Sequence, residues 1–203
     1  MRFSVGDSHL VKIKKQKSMI LASHNSMSYL EPYHKWLRPL RFMARCQSAS
    51  LKLQHDMGVK LFDIRISYDK AGNPHFRHGL MRYKGNVLAV LAYLDAIGAD
   101  VRLLLEDSRV NAQHEMAFYD DCLRWTRDYP NIHFYGGQRK CDWLKIYPFP
   151  EIEHKIKHLY ASMTGGKIDD LFPKRYAVKR NRKNIEEYDD SDYYVMIDYC
   201  QYR

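Results

Sequence analysis

The chain has 203 residues, of which 45% are apolar and 28% charged, and this mixture excludes a disordered, collagen-like or fibrous protein. The length favours one domain spanning residues 1–203, because a second hydrophobic core would leave each half small. The longest apolar run, residues 87–97, is interrupted by Tyr93 and Asp95. It is too short to cross a bilayer, so we expect no integral membrane protein.

Lysine and arginine outnumber the acidic residues by 33 to 24, which leaves a formal net charge of +9. This charge favours an anionic partner such as a phosphate-bearing substrate, a nucleic acid or an acidic lipid surface. Six bases lie within residues 174–183, and acidic residues follow from Glu186 onward. We interpret these blocks as a solvated loop rather than a binding arm, because adjacent opposite charges screen each other. The basic run contains one aromatic residue and no recognisable nucleic-acid module, so we expect no nucleic-acid partner.

The N-terminal residues lack an apolar stretch followed by a small-residue cleavage site, so no secretory signal is recognised. This pattern fits a cytoplasmic protein, a phage product or a protein released by another route. Four cysteines lie far apart, without the paired spacing of zinc or redox sites: Cys46, Cys122, Cys141 and Cys200. We predict free buried thiols at these positions. The sequence leaves the oligomeric state open.

Hydrophobic periodicity predicts alternating strands and helices along the chain. In chain order, the predicted elements are a strand at 18–24, a helix at 33–57 that Pro39 interrupts, strands at 59–67 and 74–79, a helix at 85–97, a strand at 101–105, a helix at 111–129, and strands at 132–135, 159–163 and 193–199. This alternation indicates an α/β fold with a largely parallel sheet.

Polar residues stand where several of these strands end. They are His24 and Asn25, Asp63 and Arg65, Glu106 and Asp107, and Asp198. In parallel α/β folds, catalytic and binding residues lie at the carboxyl ends of the strands. Ionisable groups at buried strand ends are costly unless they pair or take part in chemistry, so these residues are functional candidates.

Three residues, His24, Arg65 and His78, together fit phosphodiester cleavage. That reaction needs a base to activate a hydroxyl, a fixed cation for the phosphoryl oxygens and an acid for the leaving alkoxide. Each residue alone also has a structural explanation, as a core histidine, a partner for Asp63 or a turn residue beside Gly79. The combination of all three indicates an enzyme.

The segments 22–27 and 58–65 and the pair His78-Gly79 resemble the X domain of phosphatidylinositol-specific phospholipase C in its compact bacterial form. Residues 46–48, 158–163 and 195–199 are also similar to parts of that family. The resemblance runs from about residue 18 to residue 199 and is weak between residues 111 and 155. It implies an α/β fold of the distorted, shortened (β/α) TIM-type barrel kind.

The same resemblance implies cleavage of phosphatidylinositol, or a related inositol phospholipid, to diacylglycerol and a cyclic or open inositol phosphate. His24 would take the proton of the inositol 2-hydroxyl, Arg65 would hold the phosphoryl oxygens, and His78 would protonate the leaving oxygen. Asp198 would orient His24, and Asp63 would support Arg65. The implied partners are a phospholipid substrate and, transiently, a membrane surface, which the 16 tyrosines suit.

The resemblance leaves open whether the reaction requires a metal ion. Metal-free members of the family carry Asp where this chain has Asn25, whereas calcium-dependent members carry Asn as a metal ligand. Asn25, Asp63 and Glu106 could form an oxygen-rich calcium site. Arg65 favours action without a cofactor, because a guanidinium and a divalent ion repel each other. In that reading Asn25 and Glu106 contact the substrate, and calcium is the alternative.

A catalytically silent barrel that binds anionic lipid or phosphorylated sugar is the alternative function. Asn25 in place of a carboxylate favours this alternative. The presence of both histidines, Arg65 and Asp198 favours an enzyme, because a binding pocket needs cations but not an ordered acid and base.

Overall fold

The computed structural model describes residues 20–107, 111–136, 144–145, 149–187 and 192–203. The described strands are β1 (Ile20–Ser23), β2 (Val59–Tyr68), β3 (Pro74–His78), β4 (Met81–Arg82), β5 (Asp100–Glu106), β6 (His133–Tyr135), β7 (Leu144–Lys145), β8 (Ile156–His158) and β9 (Tyr194–Ile197). The α-helices are α1 (Arg41–Ala44), α2 (Leu51–Asp56), α3 (Val87–Ala96), α4 (Ala112–Asp128), α5 (Ala161–Thr164), α6 (Lys167–Leu171) and α7 (Pro173–Glu187). Short 3₁₀ turns cover Lys35–Leu40, Glu153–Lys155 and Cys200–Tyr202.

Six strands run parallel in the order β8-β9-β1-β2-β5-β6 and form a curled half-barrel. β3 pairs antiparallel with the end of β2 that extends beyond β1, and β4 continues this hairpin. β7 pairs antiparallel with the end of β5. The carboxyl ends of the parallel strands therefore lie at one rim of the half-barrel, with β3 beside them.

The two faces of the sheet have different surroundings. The outer face packs against the helices: Leu91 of α3 and Phe118 and Trp125 of α4 belong to the large buried cluster that also contains Phe62 and Leu103. These side chains are fully buried, and the burial of each one stabilises the fold by about 1.5–3 kcal/mol. Helix α3 begins after Asn86 and helix α4 after Asn111, whose side chains accept hydrogen bonds from the first free backbone N–H groups.

The inner face of the sheet is apolar at one end of the strands and polar at the other. A small apolar cluster fills its lower part, formed by Ala22, Leu61, Ile152, Ile156, Tyr160 and Met196. Side chains two residues apart on a strand share a face, so His24 stands above Ala22, Asp63 above Leu61 and Asp198 above Met196. The half-barrel therefore has an apolar floor and a polar mouth.

Two predicted elements are wrong. In place of the predicted strand at residues 159–163, β8 ends at His158 and helix α5 begins after Tyr160, whose backbone oxygen accepts from the N–H groups of Met163 and Thr164. The predicted long helix at residues 33–57 is broken: a 3₁₀ turn runs through Pro39, and extended chain at residues 45–50 separates α1 from α2. Hydrogen bonds from the backbone N–H groups of Cys46 and Gln47 to Ser28 hold this extended segment.

The basic run is helix α7, so its interpretation as a solvated loop is wrong. Tyr176, Ala177 and Asn181 are buried on one face of α7, and the bases lie on the exposed faces. The Nδ2 group of Asn181 donates to the backbone oxygen of Asp198 at 2.7 Å, which ties the helix to the end of β9. The aliphatic stems of lysine and arginine favour helix, and this tertiary contact stabilises it.

The remaining predictions agree with the described elements: β1, β3, α3, α4, β6 and β9 lie within the predicted ranges, and β2 and β5 extend beyond theirs by one residue at one end and at both ends, respectively. Cys46, Cys122 and Cys200 are buried free thiols, as predicted, and Cys141 lies outside the described residues. Among the described helices, none combines the length and apolar character needed to span a bilayer.

Candidate active site

His24 is the centre of the polar mouth. It follows β1 directly, is buried, and its Nδ1 donates to Oδ1 of Asp198 at 2.7 Å. Its Nε2 lies 2.8 Å from Nη2 of Arg65, and its ring stacks on Tyr160 with centroids 3.7 Å apart. Because a carboxylate only accepts and a guanidinium only donates, neutral His24 carries its proton on Nδ1 and a lone pair on Nε2. Nε2 is therefore the atom that can take a proton.

Two non-glycine residues at this mouth have left-handed backbone conformations. Asn25 directly follows His24 and Tyr199 directly follows Asp198, and both have φ of 46°. Such conformations cost of order 1 kcal/mol or more and persist where surrounding contacts enforce them. Here the contacts are the backbone N–H of Asn25 to Asp63 at 2.9 Å and that of Tyr199 to the Cys46 oxygen at 2.6 Å. The chain turns sharply at both ends of the His24–Asp198 pair.

Arg65 is fully buried and bridges the two carboxylates of the mouth. Its Nε donates to Oδ2 of Asp63 at 2.9 Å, and its Nη1 donates to Oε2 of Glu106 at 3.1 Å. Burial alone would lower the pKa of Arg65, but the charges of Asp63 and Glu106 outweigh it and hold the pKa above its usual range. Arg65 is therefore a permanent cation that the two carboxylates hold against His24.

A second buried guanidinium lies beside Arg65. Arg102 donates from Nη1 to Oδ1 of Asp63 at 2.6 Å and from Nε to Oε1 of Glu153 at 2.7 Å. Glu153 in turn lies 2.7 Å from Nε2 of His158. The network places alternating charges across the inner face, so that each buried charge has an opposite neighbour. Arg102 therefore supports Asp63, and its guanidinium bonds go to Asp63 and Glu153.

His78 lies at the end of β3, on the other side of the mouth from Asp198. Its Nδ1 donates to the backbone oxygen of Ala44 at 2.9 Å, and its ring centroid is 6.0 Å from that of His24, in an edge-to-face arrangement. The carbonyl can only accept, so the Nδ1 position of His78 carries a proton in either charge state. Its Nε2 then carries the second proton when His78 is charged. The turn after His78 is held by the backbone N–H of Gly79, which donates to Glu106.

Asn25, Asp63 and Glu106 are the proposed calcium ligands, and their geometry does not fit that ion. Oδ2 of Asp63 accepts from Arg65 and from the backbone N–H of Asn25, and Oδ1 accepts from Arg102. Both oxygens of Glu106 likewise accept hydrogen bonds, from Arg65 and from Gly79. A calcium ion would have to displace two guanidinium groups that already supply the positive charge.

A different donor set could hold a metal ion. His24, Cys46 and Asp198 are buried and bring one ligand atom each within 4.8 Å of one another. Imidazole, thiolate and carboxylate are ligands for a borderline ion such as zinc. Burial raises the pKa of the Cys46 thiol well above its usual range. Nδ1 of His24 already donates to Asp198 at 2.7 Å, so an ion at this place would have to replace that hydrogen bond.

The structure brings together every predicted site residue: His24, Arg65, His78, Asp198, Asp63, Asn25 and Glu106. It also adds residues that the sequence analysis did not assign to the site. Gln47 donates from Nε2 to the backbone oxygens of His24 and Ile197, at 3.2 and 2.9 Å, and so fixes the His24 turn. Its position in the motif at residues 46–48 was a usable signal. Arg102 was visible as a lone base in an apolar strand, and Tyr160 lies in the similar segment at residues 158–163.

Burial raises the pKa of Asp198 to about 7, because desolvation disfavours its charged form, although the Ala161 N–H and Cys46 oppose the shift. A carboxyl with a higher pKa in the folded state stabilises the fold while it is protonated. The contribution is complete below the unfolded pKa of about 4 and is lost as the pH rises through about 7.

We expect Asp198→Asn to remove this pH dependence. The free energy of unfolding of the wild type should fall by about 2–4 kcal/mol more than that of the variant between about pH 4 and about pH 7. Urea unfolding of both proteins across that pH range measures the two free energies of unfolding. Their difference is free of the contributions of the other titratable groups, because both proteins share them. A difference that stays constant with pH would contradict the raised pKa.

No protein-family model matches the sequence, and no curated protein sequence matches it. Among solved structures, the phosphatidylinositol-specific phospholipase C of Listeria monocytogenes superposes with a TM-score of 0.62 at 14% identity, covering 92% of this chain and 91% of that one. The Staphylococcus aureus enzyme superposes with a TM-score of 0.58 at 13% identity, covering 91% and 87%.

The chain has the fold of bacterial phosphatidylinositol-specific phospholipase C. The predicted distorted TIM-type barrel is therefore confirmed, and the curled parallel sheet is its core. A further S. aureus structure, described as concerning modulation of that enzyme's membrane binding, has a TM-score of 0.55 at 14% identity and covers 93% of this chain and 89% of that one. At such identities the similarity extends to the phospholipase C fold and not to individual residues.

Proposed function

We propose that the protein cleaves phosphatidylinositol, or a related inositol phospholipid, to diacylglycerol and a cyclic inositol phosphate. The observation that carries the proposal is the row of three groups at the barrel mouth: Nε2 of His24, the Arg65 guanidinium 2.8 Å from it, and the His78 ring 6.0 Å from the His24 ring. A base, a fixed cation and an acid are thus within reach of one phosphodiester.

His24 is the general base. Its Nε2 lone pair takes the proton of the inositol 2-hydroxyl, and the hydroxyl oxygen forms a bond to phosphorus. Asp198 accepts from Nδ1 at 2.7 Å, which holds the tautomer and stabilises the imidazolium that forms. Stacking on Tyr160 keeps the ring in place, and Gln47 holds the backbone of His24 by donating to its carbonyl oxygen.

Arg65 binds the phosphoryl oxygens. Its Nη2, which donates to His24 in this structure, turns to a phosphoryl oxygen as substrate enters, while Nε and Nη1 keep their bonds to Asp63 and Glu106. The cation is positioned before the reaction, so stabilisation of the developing charge needs little reorganisation. Asn25 adds a second donor: its buried Nδ2 atom has no hydrogen-bond partner, and a phosphate oxygen would satisfy it.

His78 is the general acid. As the bond from phosphorus to the glycerol oxygen breaks, Nε2–H of charged His78 protonates that oxygen, and diacylglycerol leaves. Ala44 holds Nδ1 and so directs Nε2 toward the mouth. In a second step the roles exchange: His78 takes a proton from water, the water oxygen opens the cyclic phosphate, and His24 returns its proton to the inositol oxygen.

A membrane surface is the proposed site of action. Large apolar side chains are exposed in the connections around the barrel mouth: Trp36, Leu40, Leu80, Met163 and Ile168. Trp36 is 71% exposed and Leu80, two residues after His78, is 82% exposed. Aromatic and aliphatic side chains of this kind insert among lipid headgroups, which brings the mouth to the phosphodiester.

Release of water-soluble inositol phosphate from phosphatidylinositol in mixed micelles tests the proposal. Because Arg65 supplies the positive charge, we expect release to continue undiminished in the presence of a chelator and to be unaffected by added calcium. Phosphatidylcholine in the same micelles is the control substrate and should release no phosphocholine.

Activity that appears only with calcium would contradict metal-free action and would require the carboxylates to exchange their guanidinium partners for the ion. Absence of release in every condition, from protein shown to be folded by thermal unfolding, would favour the silent barrel. Asn25 in place of the acidic neighbour of the base is the residue that favours that second candidate.

A further inference from the structure

A second pocket opens between α1 and α7, beside the catalytic mouth but separate from it. It measures about 820 Å³, and none of the proposed catalytic side chains lines it. Its lining is Arg41, Phe42, Arg45, Phe172, Lys174, Arg175, Val178, Lys179 and Tyr199. Five of these nine residues are cationic, and none is acidic.

Four of the five pocket cations have no acidic partner among the described residues. Arg41 pairs with Glu31. Among the residues that the structure describes, no carboxylate lies within 4.0 Å of the other four bases, Arg45, Lys174, Arg175 and Lys179. The acidic end of α7 does not neutralise them, because Glu186 and Glu187 pair with Arg182 and Lys183 one turn earlier. The pocket is therefore complementary to an anion.

The floor of the pocket is apolar. Phe42 and Phe172 stack with ring centroids 5.5 Å apart and an interplanar angle of 17°. Both rings and Val178 remain largely exposed. Exposed aromatic and aliphatic groups ringed by cations match a ligand that joins a negative headgroup to hydrocarbon.

The position of the pocket indicates the source of that ligand. Helix α7 returns from the connection after β8 to the start of β9, so its first turns lie at the same end of the barrel as the catalytic residues. Tyr199 lines the pocket and directly follows Asp198, and Arg45 directly follows Ala44, the partner of His78. The pocket therefore opens at the end that faces lipid in the proposed function, alongside exposed Trp36 and Ile168.

We propose that this pocket binds one anionic phospholipid that is not the substrate, and that it retains the barrel mouth on anionic membranes. The phosphate lies among Arg45, Arg175 and Lys179, and an acyl chain covers Phe42 and Phe172. The ligand stays intact, so no bond is made or broken. The inference rests on the proposed function only for the orientation of the mouth, because binding requires no turnover.

The test compares two variants with equal charge loss on the same exposed helix. Arg175→Gln combined with Lys179→Gln removes two pocket cations, and Arg180→Gln combined with Lys183→Gln removes two cations outside the pocket. Sedimentation with phosphatidylglycerol-containing phosphatidylcholine vesicles at low ionic strength measures binding. We expect the pocket variant to bind about 10- to 30-fold more weakly than wild type and the control variant about threefold or less.

A monomeric short-chain phosphatidylglycerol provides the second readout. Calorimetry should give saturable binding of one lipid per chain, lost in the pocket variant and weakened about tenfold in Phe42→Ser. Glycerol phosphate, which lacks acyl chains, should not compete. Equal losses in the two charge variants would overturn the proposal in favour of diffuse electrostatics. Displacement of the lipid by glycerol phosphate at a similar concentration would also overturn the proposal, because the acyl chains would then contribute nothing to binding. Binding of a single-stranded oligonucleotide in place of the lipid would overturn it as well. If the wild-type protein binds the lipid as expected but does not cleave phosphatidylinositol, only the proposed function is contradicted.

Discussion

Arg65→Lys is expected to lower kcat on phosphatidylinositol by about 10²- to 10³-fold, the usual effect of removing one preorganised donor to developing charge. Lysine keeps the positive charge but has a single ammonium group, which cannot hold Asp63 and Glu106 and also reach a phosphoryl oxygen beside His24. Initial rates of inositol phosphate release in mixed micelles measure the change.

Arg102→Lys is the matched control. Arg102 is also fully buried and also bridges two carboxylates, Asp63 and Glu153, but the described contacts of its guanidinium do not include His24. Both variants should lower the free energy of unfolding by about 1–3 kcal/mol, because both leave buried carboxylate oxygens short of donors. Only Arg65→Lys should lose turnover per folded molecule. Equal activity loss in the two variants would mean that Arg65 acts through the fold alone.

His24→Gln is expected to lower kcat by about 10²- to 10⁴-fold. Glutamine can donate a hydrogen bond to Asp198 and stack partly on Tyr160, but it cannot take a proton from the inositol hydroxyl. The rate of inositol phosphate release should be lower than that of the wild type at every pH, because the variant has no base at this position. A change in the pKa of the base would instead shift the pH profile.

His158→Gln separates this role from histidine loss in general. His158 also pairs with a carboxylate, since its Nε2 lies 2.7 Å from Oε2 of half-buried Glu153, and its ring centroid lies 5.5 Å from that of Tyr160. We expect its activity to stay within about threefold of wild type, since it contacts neither Arg65 nor His78 in the described structure. Near-normal turnover in a folded His24→Gln variant would remove the base from the mechanism and with it the proposed reaction.

The strand and helix pattern was predictable where the sequence signal is local. β2 and β5 are almost continuously buried, and α3 and α4 begin at capping asparagines, so short-range periodicity and caps predicted them. Residues 159–163 misled the prediction, because Leu159, Tyr160 and Ala161 are buried in a turn and a helix rather than in a strand. A short apolar run does not distinguish these cases.

The chemistry of the site was also partly in the sequence. The order of His24, Arg65 and His78, with Asp63, Glu106 and Asp198 at predicted strand ends, predicted that ionisable groups would gather at one rim, since the carboxyl ends of parallel strands meet there. Their catalytic roles stay predictions until the variants are measured. Charge composition alone indicated an anionic partner but not where it would bind.

The α/β class, most of the elements and the residue types at the rim follow from the amino-acid sequence, because these depend on periodicity and on neighbours a few positions apart. The folded structure was needed to show which carboxylate binds which guanidinium, that Gln47 and Tyr160 contact His24, and that the basic run forms one wall of a pocket against Phe42. Apart from the Asp63–Arg65 pair, these contacts join residues tens to more than a hundred positions apart, and their energies depend on burial and distance that exist only after the chain has folded.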